Sequence, residues 1–200
     1  MEAKIQARIG GFRLAANIDG SGVMCVAGSN GAGKTSLMKV IAGFIPLEDG
    51  YIKMGGRDIS KLPVEKREVV LVTPNSALFH LDVESHLRWG ARLRGRKPGT
   101  EEVTKVKAEL GIDFGGAVRT LSLGMRERVS LATALLARPR AVLVDEVFSS
   151  LHNKEDFIAS YGRLTKDSGI DLLFTSQNES DGRMAEQVYV MDNGSTIRRR

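Results

Sequence analysis

Residues 28–35 read Gly-Ser-Asn-Gly-Ala-Gly-Lys-Thr, which matches the phosphate-binding pattern G-x-x-x-x-G-K-[S/T] at every fixed position. The glycines let the backbone bend tightly and turn its N–H groups toward phosphate oxygens. The apolar run 23–27 before the loop predicts a buried strand, and residues 36–42 after it predict a helix that ends at Gly43. A strand, a glycine-rich loop and a helix in this order predict a nucleotide-binding α/β domain.

The residues of this phosphate loop have distinct expected roles. Lys34 is expected to reach the β- and γ-phosphates, and Thr35 to offer its hydroxyl to Mg²⁺. Phosphate at the helix start would also gain from free N–H groups and the helix dipole. The predicted nucleotide contacts are Gly28, Ser29, Asn30, Gly31, Ala32, Gly33, Lys34, Thr35 and Ser36.

A second chemical signal follows the apolar run 141–144, where Asp145 and Glu146 stand next to each other. Open α/β sheets place their ligands at the carboxyl ends of their strands. Asp145 is therefore expected to hold Mg²⁺, directly or through water. Glu146 is expected to polarise a water for attack on the terminal phosphate.

Length and composition limit the class of protein. Two hundred residues suit one domain, and 42% hydrophobic with 26% charged residues is ordinary for a globular chain. No run approaches the roughly 20 apolar residues that cross a bilayer, and the N-terminus has no apolar signal segment, so we expect a cytoplasmic chain. Cys25, the single cysteine, excludes an intrachain disulfide and is expected to be a buried apolar residue.

The chain is basic, with a formal net charge of +5, and its basic residues cluster within 88–97 and at 198–200. Three interpretations stay open: nucleic-acid binding, contact with an anionic membrane face or a partner beside it, and a solvated surface. Aromatic residues do not alternate with the basic ones as stacking platforms would. Nucleic acid is therefore not the expected partner.

The order of segments predicts one domain over 1–200 with three parts. Residues 1–22 alternate as two antiparallel strands joined at Gly10-Gly11, and strands then alternate with helices, which predicts a mainly parallel sheet. From 74 to 120 the pattern is helical, so the core is expected over about 1–73 and 121–200. The other predicted strands are 50–54, 68–73, 141–145, 170–175 and 188–191, and the predicted helices are 83–93, 101–110, 123–137, 154–166 and 183–185.

Residues 121–129 read Leu-Ser-Leu-Gly-Met-Arg-Glu-Arg-Val, about twenty residues before the acidic strand. This signature segment, with the phosphate loop and Asp145–Glu146, resembles ABC-type ATPases over nearly the whole chain. The resemblance implies a P-loop NTPase fold with an N-terminal antiparallel β subdomain and an inserted helical subdomain. It also implies that two domains pair head to tail around two ATP molecules with Mg²⁺. Ser122 and Gly124 of one copy would then meet the γ-phosphate held by Lys34 of the other.

Three further segments, 62–67, 77–83 and 87–90, resemble ATPase subunits of importers for oxyanions and sugars, such as molybdate, tungstate or sulfate. The resemblance implies transmembrane permease subunits that dock near 74–93 on the inner face of the cell membrane, and a solute-binding protein that acts indirectly. The second ATPase would be another copy or a paralogous chain. The candidate docking residues are Leu78, Phe79 and Trp89, with core packing as the alternative for Trp89. Because the chain ends soon after Gly194, we expect no C-terminal regulatory domain.

Three positions depart from this family. Pro74 stands where a Mg²⁺-contacting glutamine is usual, with Asn75 as the nearest substitute. His152 replaces an aspartate that crosses the dimer. Ser176 stands at the position of the switch histidine and is the candidate γ-phosphate contact beside Lys34 and Glu146, while Gln177 is longer and is the alternative.

These departures affect hydrolysis more than binding, so we expect firm Mg-ATP binding and slow turnover. The residue that stacks on adenine is Ile9 by position, with Phe12 as the alternative if the turn brings it round. The favoured function is the ATP-hydrolysing subunit of a transporter, most simply an importer. A soluble ABC-type ATPase that acts on nucleic acid or ribosomes, and a weakly catalytic ATP-gated clamp, remain the alternatives.

Overall fold

A computed structural model describes all of residues 1–200. Ten strands form one sheet: β1 (Glu2–Ile9), β2 (Phe12–Asp19), β3 (Val23–Ala27), β4 (Asp49–Met54), β5 (Arg57–Asp58), β6 (Val69–Val72), β7 (Ala141–Val144), β8 (Asp171–Ser176), β9 (Gln187–Asp192) and β10 (Ser195–Arg198). The helices are α1 (Lys34–Ala42), α2 (Val83–Leu93), α3 (Thr100–Glu109), α4 (Leu123–Leu136) and α5 (Lys154–Asp167). Short 3₁₀ turns cover Val64–Lys66, Val118–Thr120, Val147–Ser150 and Glu179–Met184.

The strand order is β5-β4-β1-β2-β10-β9-β3-β8-β7-β6. Strands β9, β3, β8, β7 and β6 are parallel neighbours, whereas β1, β2, β4 and β5 pair antiparallel. All residues of β3 and β7 are buried, as expected for parallel strands covered on both faces. The predicted α/β fold, with a parallel core and an antiparallel N-terminal part, is confirmed.

Two apolar clusters cover the two faces of the parallel strands. One joins the sheet to α2, α3, α4 and α5. The other joins it to α1 and the antiparallel strands, whose alternating pattern buries one face. The predicted helix at 183–185 is instead the 3₁₀ turn Glu179–Met184, and β5 and β10 are additional strands. Both additional strands are short and largely exposed, so they carry no clear apolar alternation.

Arg67 fixes the far end of the phosphate-loop helix α1. Its buried guanidinium donates to the carbonyls of Val40 and Ile41 at 3.0 Å each, and to those of Leu62 at 2.8 Å and Ser60 at 2.9 Å. The last carbonyls of a helix lack partners within the helix, and a cation there also interacts favourably with the dipole. Arg67 therefore ties the C-terminus of α1 to the segment that precedes β6.

His86 ties the loop after β6 to α4. Its Nε2 accepts the Leu78 N–H at 3.1 Å, so Nδ1 carries the proton of the neutral ring and donates to Thr133 Oγ1 at 2.8 Å. The residue is only 2% exposed. Burial, with a smaller contribution from His80, lowers the pKa of His86. Protonation of Nε2 would remove the acceptor of the Leu78 N–H.

We predict that His86→Ala lowers the free energy of unfolding by about 1–3 kcal/mol, because it leaves the buried Leu78 N–H without an acceptor and removes the hydrogen bond that Nδ1 donates to Thr133 Oγ1. His86→Gln, which retains an acceptor for Leu78, should lose less. The measurement is urea unfolding at pH 8.

The same variants test the protonation state of His86. Because its pKa in the folded protein is lowered, its contribution to stability is complete above the unfolded value of about 6.5 and is lost as the pH falls from there through the lowered pKa. The stability difference between wild type and His86→Gln should therefore shrink between pH 7 and pH 5. A difference that grows over this range would contradict a neutral His86.

Candidate nucleotide site

The phosphate loop connects β3 to α1 through a left-handed backbone at two glycines. Gly31 has φ +81° and Gly33 has φ +108°. A Cβ on Gly33 would lie 2.8 Å from the Phe12 ring, and a Cβ on Gly28 would collide with the carbonyl oxygen of Met191. Gly31 therefore requires glycine for its conformation, Gly28 for space and Gly33 for both. Helix α1 begins at Lys34, two residues earlier than the sequence predicts.

Lys34 brings the phosphate loop and the acidic strand end together. Its buried ammonium donates to the carbonyls of Gly28 at 2.8 Å and Ser29 at 2.9 Å. It also lies 3.7 Å from Oε1 of Glu146. An ammonium has three protons, and two of them are hydrogen-bonded to the loop carbonyls, so one remains for an anion. Lys34 is therefore positioned between the loop and the carboxylate predicted to activate water.

Thr175 on β8 orders both acidic residues, and the sequence analysis did not single it out. Its Oγ1 donates to Oδ1 of Asp145 at 3.0 Å and accepts the Glu146 N–H at 2.9 Å. Asp145 and Thr175 are both buried. Glu146 has φ +59°, a left-handed conformation that is strained for a residue with a side chain. The hydrogen bond from its own N–H to Thr175 holds this conformation.

A loop cleft of about 190 Å³ opens beside these groups. It is lined by Ile9, Phe12, Gly31, Gly33, Lys34, Thr35, Ser36 and Glu146. Ile9 and Phe12 face each other in register across the β1–β2 hairpin. Because of this hairpin, both candidates for stacking on adenine lie at the cleft.

Ser122 and Gly124 lie on the opening turn of α4 and do not line the loop cleft. The Ser122 side chain accepts the Met125 N–H at 3.3 Å and so caps the helix. The buried Glu127, which the sequence analysis did not single out, accepts a hydrogen bond from the Ser150 hydroxyl. Burial raises the pKa of Glu127. The signature segment is therefore joined to the turn Val147–Ser150, which follows Glu146.

A second concavity, the subdomain groove, lies between the sheet and the helical part and has a volume of about 500 Å³. Asn75, Leu78 and Trp89 line it. Trp89 is 40% exposed and Phe79 49% exposed, so core packing is the wrong alternative for Trp89. Asn75 faces this groove and does not line the loop cleft, so the structure does not bring it to the expected position of the missing glutamine.

A third concavity, the switch cavity, has a volume of about 140 Å³ and contains Ser176 and Gln177 beside Glu146. The Ser176 hydroxyl donates to Oδ2 of Asp181 at 2.6 Å. His152 is exposed and lies outside this cavity. Of the three positions that depart from the family pattern, Ser176 is therefore the one that the structure brings to Glu146.

The donor set at the strand ends fits a magnesium ion. Mg²⁺ prefers oxygen ligands and is usually held by one or two protein groups together with substrate phosphates and water. The Asp145 carboxylate and the Thr35 hydroxyl supply such oxygens. The structure has no group of three or more His, Cys, Asp or Glu side chains arranged to hold a metal ion.

Cys25 is fully buried, and burial, with a smaller contribution from the Asp181 charge, raises its pKa to about 12. This confirms a buried apolar role, since the thiolate is the reactive form. In a separate finding, none of the helices is both long and apolar enough to cross a bilayer.

Comparison with known proteins decides the family. A family model described as ABC transporter matches residues 13–149. The chain belongs to the ABC transporter family. Solved structures agree with this fold: an ATP-binding subunit of an ABC transporter superposes with a TM-score of 0.81 at 20% identity, covering 98% of this chain and 87% of that one. A nucleotide-free ATP-binding cassette gives a TM-score of 0.78 at 21% identity, with coverage of 98% and 90%.

Curated relatives within the ABC transporter family have import ATP-binding names. A putative 2-aminoethylphosphonate import ATP-binding protein of Salmonella typhimurium is 31% identical over 92% of this chain and 52% of its own length. A molybdate/tungstate import ATP-binding protein of Pyrococcus horikoshii is 34% identical over 86% and 52%. The predicted resemblance to importer ATP-binding subunits is confirmed. The chain spans about half the length of these relatives.

We predict that Thr175→Val lowers stability by about 1–3 kcal/mol, since it leaves the Glu146 N–H without an acceptor and Asp145 without a donor. Turnover of Mg-ATP should fall by about tenfold or more, because a small displacement of a catalytic group is costly. Thermal unfolding and steady-state assays measure the two effects. Thr175→Ser, which keeps the hydroxyl, is the matched control, and an equal loss in both variants would contradict a role for the hydroxyl.

Proposed function

We propose that the chain binds and hydrolyses ATP and thereby energises a membrane transporter that imports a solute. The observation that carries this proposal is the approach of Lys34 to Glu146, which joins a complete phosphate loop to a carboxylate at the ends of β3 and β7. The import ATP-binding names of several relatives support the direction of transport.

In the proposed mechanism the residues of the phosphate loop hold the triphosphate. The Gly28 N–H is bound to the Ser176 carbonyl, so the free N–H groups from Ser29 to Ser36 would donate to the phosphate oxygens, and Lys34 would neutralise the β- and γ-phosphates. Thr35 and Asp145 would hold Mg²⁺, which would supply positive charge at the phosphate oxygens. Glu146 accepts a proton from the attacking water, and Ser176 would contact the γ-phosphate once its hydroxyl is released from Asp181.

The complete site requires a second ATPase chain. Ser122 and Gly124 begin α4, so the free N–H groups of that helix can bind an anion, yet they do not line the loop cleft of their own chain. A head-to-tail pair would bring them to the γ-phosphate of the partner site, with two-fold symmetry if the partner is a second copy. Closure on ATP and reopening after hydrolysis would move the attached membrane subunits.

The subdomain groove is the proposed docking site for a permease helix. It is concave, its lining includes Leu78 and Trp89, and the exposed Phe79 lies on the loop that precedes α2. An apolar groove flanked by helices suits an amphipathic helix. Docking near 74–93 would place the chain at the inner face of the cell membrane, and the membrane and solute-binding subunits would select the solute.

The weakly catalytic ATP-gated clamp remains a second candidate because of one observation. The Ser176 hydroxyl donates to Asp181, so its single proton is already used. A site with Ser176 in this state and with Pro74 and His152 at the other departing positions would bind Mg-ATP well and hydrolyse it slowly.

We predict that the purified chain hydrolyses Mg-ATP with a turnover per molecule that rises with protein concentration, because each site needs a partner chain. The measurement is phosphate release across a range of concentrations. Glu146→Gln should abolish release while ATP binding persists, because the amide cannot take the proton of the water. Wild-type release no higher than that of Glu146→Gln would contradict hydrolysis by this chain alone and favour the clamp or a paralogous partner.

We predict that a mixture of Lys34→Ala and Ser122→Arg chains regains turnover that neither variant has alone. A mixed dimer has one site with both defects and one site with an intact phosphate loop and an intact signature segment. Phosphate release from equimolar mixtures measures this recovery. Mixing Lys34→Ala with Glu146→Gln is the control, since Lys34 and Glu146 belong to the same half of a site, so each of the two sites in the mixed dimer carries one defect and neither is intact. Recovery in both mixtures, or in neither, would contradict head-to-tail pairing.

A further inference from the structure

Asp181 is a buried carboxylate in the switch cavity that the proposed mechanism does not use. It lies in the 3₁₀ turn Glu179–Met184, and its side chain is 7% exposed. The same cavity contains Glu146, Ser176 and Lys154. Burial of a charge is unfavourable without partners, so the groups around Asp181 must stabilise its carboxylate.

The partners of Asp181 are a cation and a hydroxyl. The Lys154 ammonium, from the first turn of α5, lies 2.8 Å from Oδ1 and 3.0 Å from Oδ2. The Ser176 hydroxyl donates to Oδ2 at 2.6 Å. In an ion pair of this kind the carboxylate only accepts hydrogen bonds. Asp181 therefore accepts the only hydrogen bond that the Ser176 hydroxyl can donate.

A backbone N–H also binds the Ser176 hydroxyl oxygen. The Asn178 N–H donates to Ser176 Oγ at 3.0 Å. The Ser176 hydroxyl donates its proton in the hydrogen bond to Asp181, and one of its lone pairs accepts the Asn178 N–H. Only its other lone pair is left to face the cavity. A lone pair repels the oxygens of a γ-phosphate, whereas a hydroxyl proton would bind them.

We propose that Asp181, with Lys154 as the counter-ion of its buried carboxylate, is a positioning residue that holds the Ser176 hydroxyl in an acceptor orientation and thereby restrains ATP hydrolysis. This inference rests on the proposed function, because it concerns the rate of that reaction. Release of Ser176 from Asp181 would free a donor for the γ-phosphate. A donor aimed at the charge that develops in a transition state is worth about 10²–10³ in rate at the strongest sites.

The test is Asp181→Asn, which keeps the shape of the side chain. The Lys154 ammonium would attract the amide oxygen, so the amide N–H₂ would face Ser176 Oγ and leave the serine proton free. We expect kcat for Mg-ATP to rise by about tenfold and KM to change little, because the new contact forms mainly in the transition state. Asp181→Ala removes the acceptor altogether and should raise kcat in the same way, and thermal unfolding verifies that both variants fold.

Ser176→Ala completes a double-mutant cycle with Asp181→Asn. The cycle separates the positioning role of Asp181 from a general loosening of the turn Glu179–Met184. In the Ser176→Ala background, Asp181→Asn should leave kcat unchanged, since no hydroxyl remains to be released. Lys154→Met, assayed at pH 8, removes the ion pair but keeps the bond from Ser176 to Asp181, so it should not raise kcat.

The outcomes distinguish this inference from the proposed function. A rise in kcat that Ser176→Ala abolishes supports the positioning role. An unchanged or lower kcat in folded Asp181→Asn and Asp181→Ala, a rise that persists without Ser176, or an equal rise in Lys154→Met overturns that role while leaving the ATPase function intact. Absence of turnover above Glu146→Gln in every variant overturns the proposed hydrolysis and this inference with it.

Discussion

Parallel pairing among β3, β8 and β7 is the constraint on which the rest of the site depends. The ladder pairs Ala27 with Ser176 and Val144 with Phe174, so all three strands end at one edge of the sheet. The phosphate loop directly follows β3, and the two acidic residues directly follow β7. Both therefore meet the last residues of β8 at this edge. A slip of one residue in β8 would turn its side chains to the opposite faces and separate both acids from their partners.

The last two residues of β8 serve different neighbours because successive side chains of a strand alternate in direction. Thr175 contacts Asp145 and the Glu146 backbone, whereas Ser176 contacts Asp181. Two hydroxyls at consecutive positions therefore order two separate carboxylates. The Thr175 network holds the proposed catalytic groups in place, and the Ser176 network determines which hydrogen-bonding group the cavity presents.

The sequence predicts those parts of the fold and site whose cause is local. The phosphate loop, the acidic strand end and the signature segment are contiguous patterns, and the buried strands are near-continuous apolar runs. The sequence does not reveal partners that only the sheet pairing or a turn brings together. Thr175 becomes a partner of Asp145 through the β7–β8 ladder, and Glu127 meets Ser150 across the packing of α4 against the turn after Glu146.

Asp181 and His86 show a second reason for the same limit. Asp181 reaches Ser176 through a 3₁₀ turn that has no apolar period, and His86 resembles any polar residue on a helix until its two ring nitrogens find their partners. The assignments of Ser122, Gly124, Asp145 and Ser176 to roles in catalysis remain predictions.

The left-handed backbone at Glu146 has a consequence for how such a chain can change over generations. A side chain in this conformation costs on the order of 1–3 kcal/mol, which is a sizeable share of the 5–15 kcal/mol that keeps a typical domain folded. Glycine at position 146 would relieve the strain and remove the carboxylate. Selection for heat resistance alone would therefore favour loss of the acid at this position. A glutamate that persists in this conformation marks a place where activity, rather than stability, governs the choice of residue.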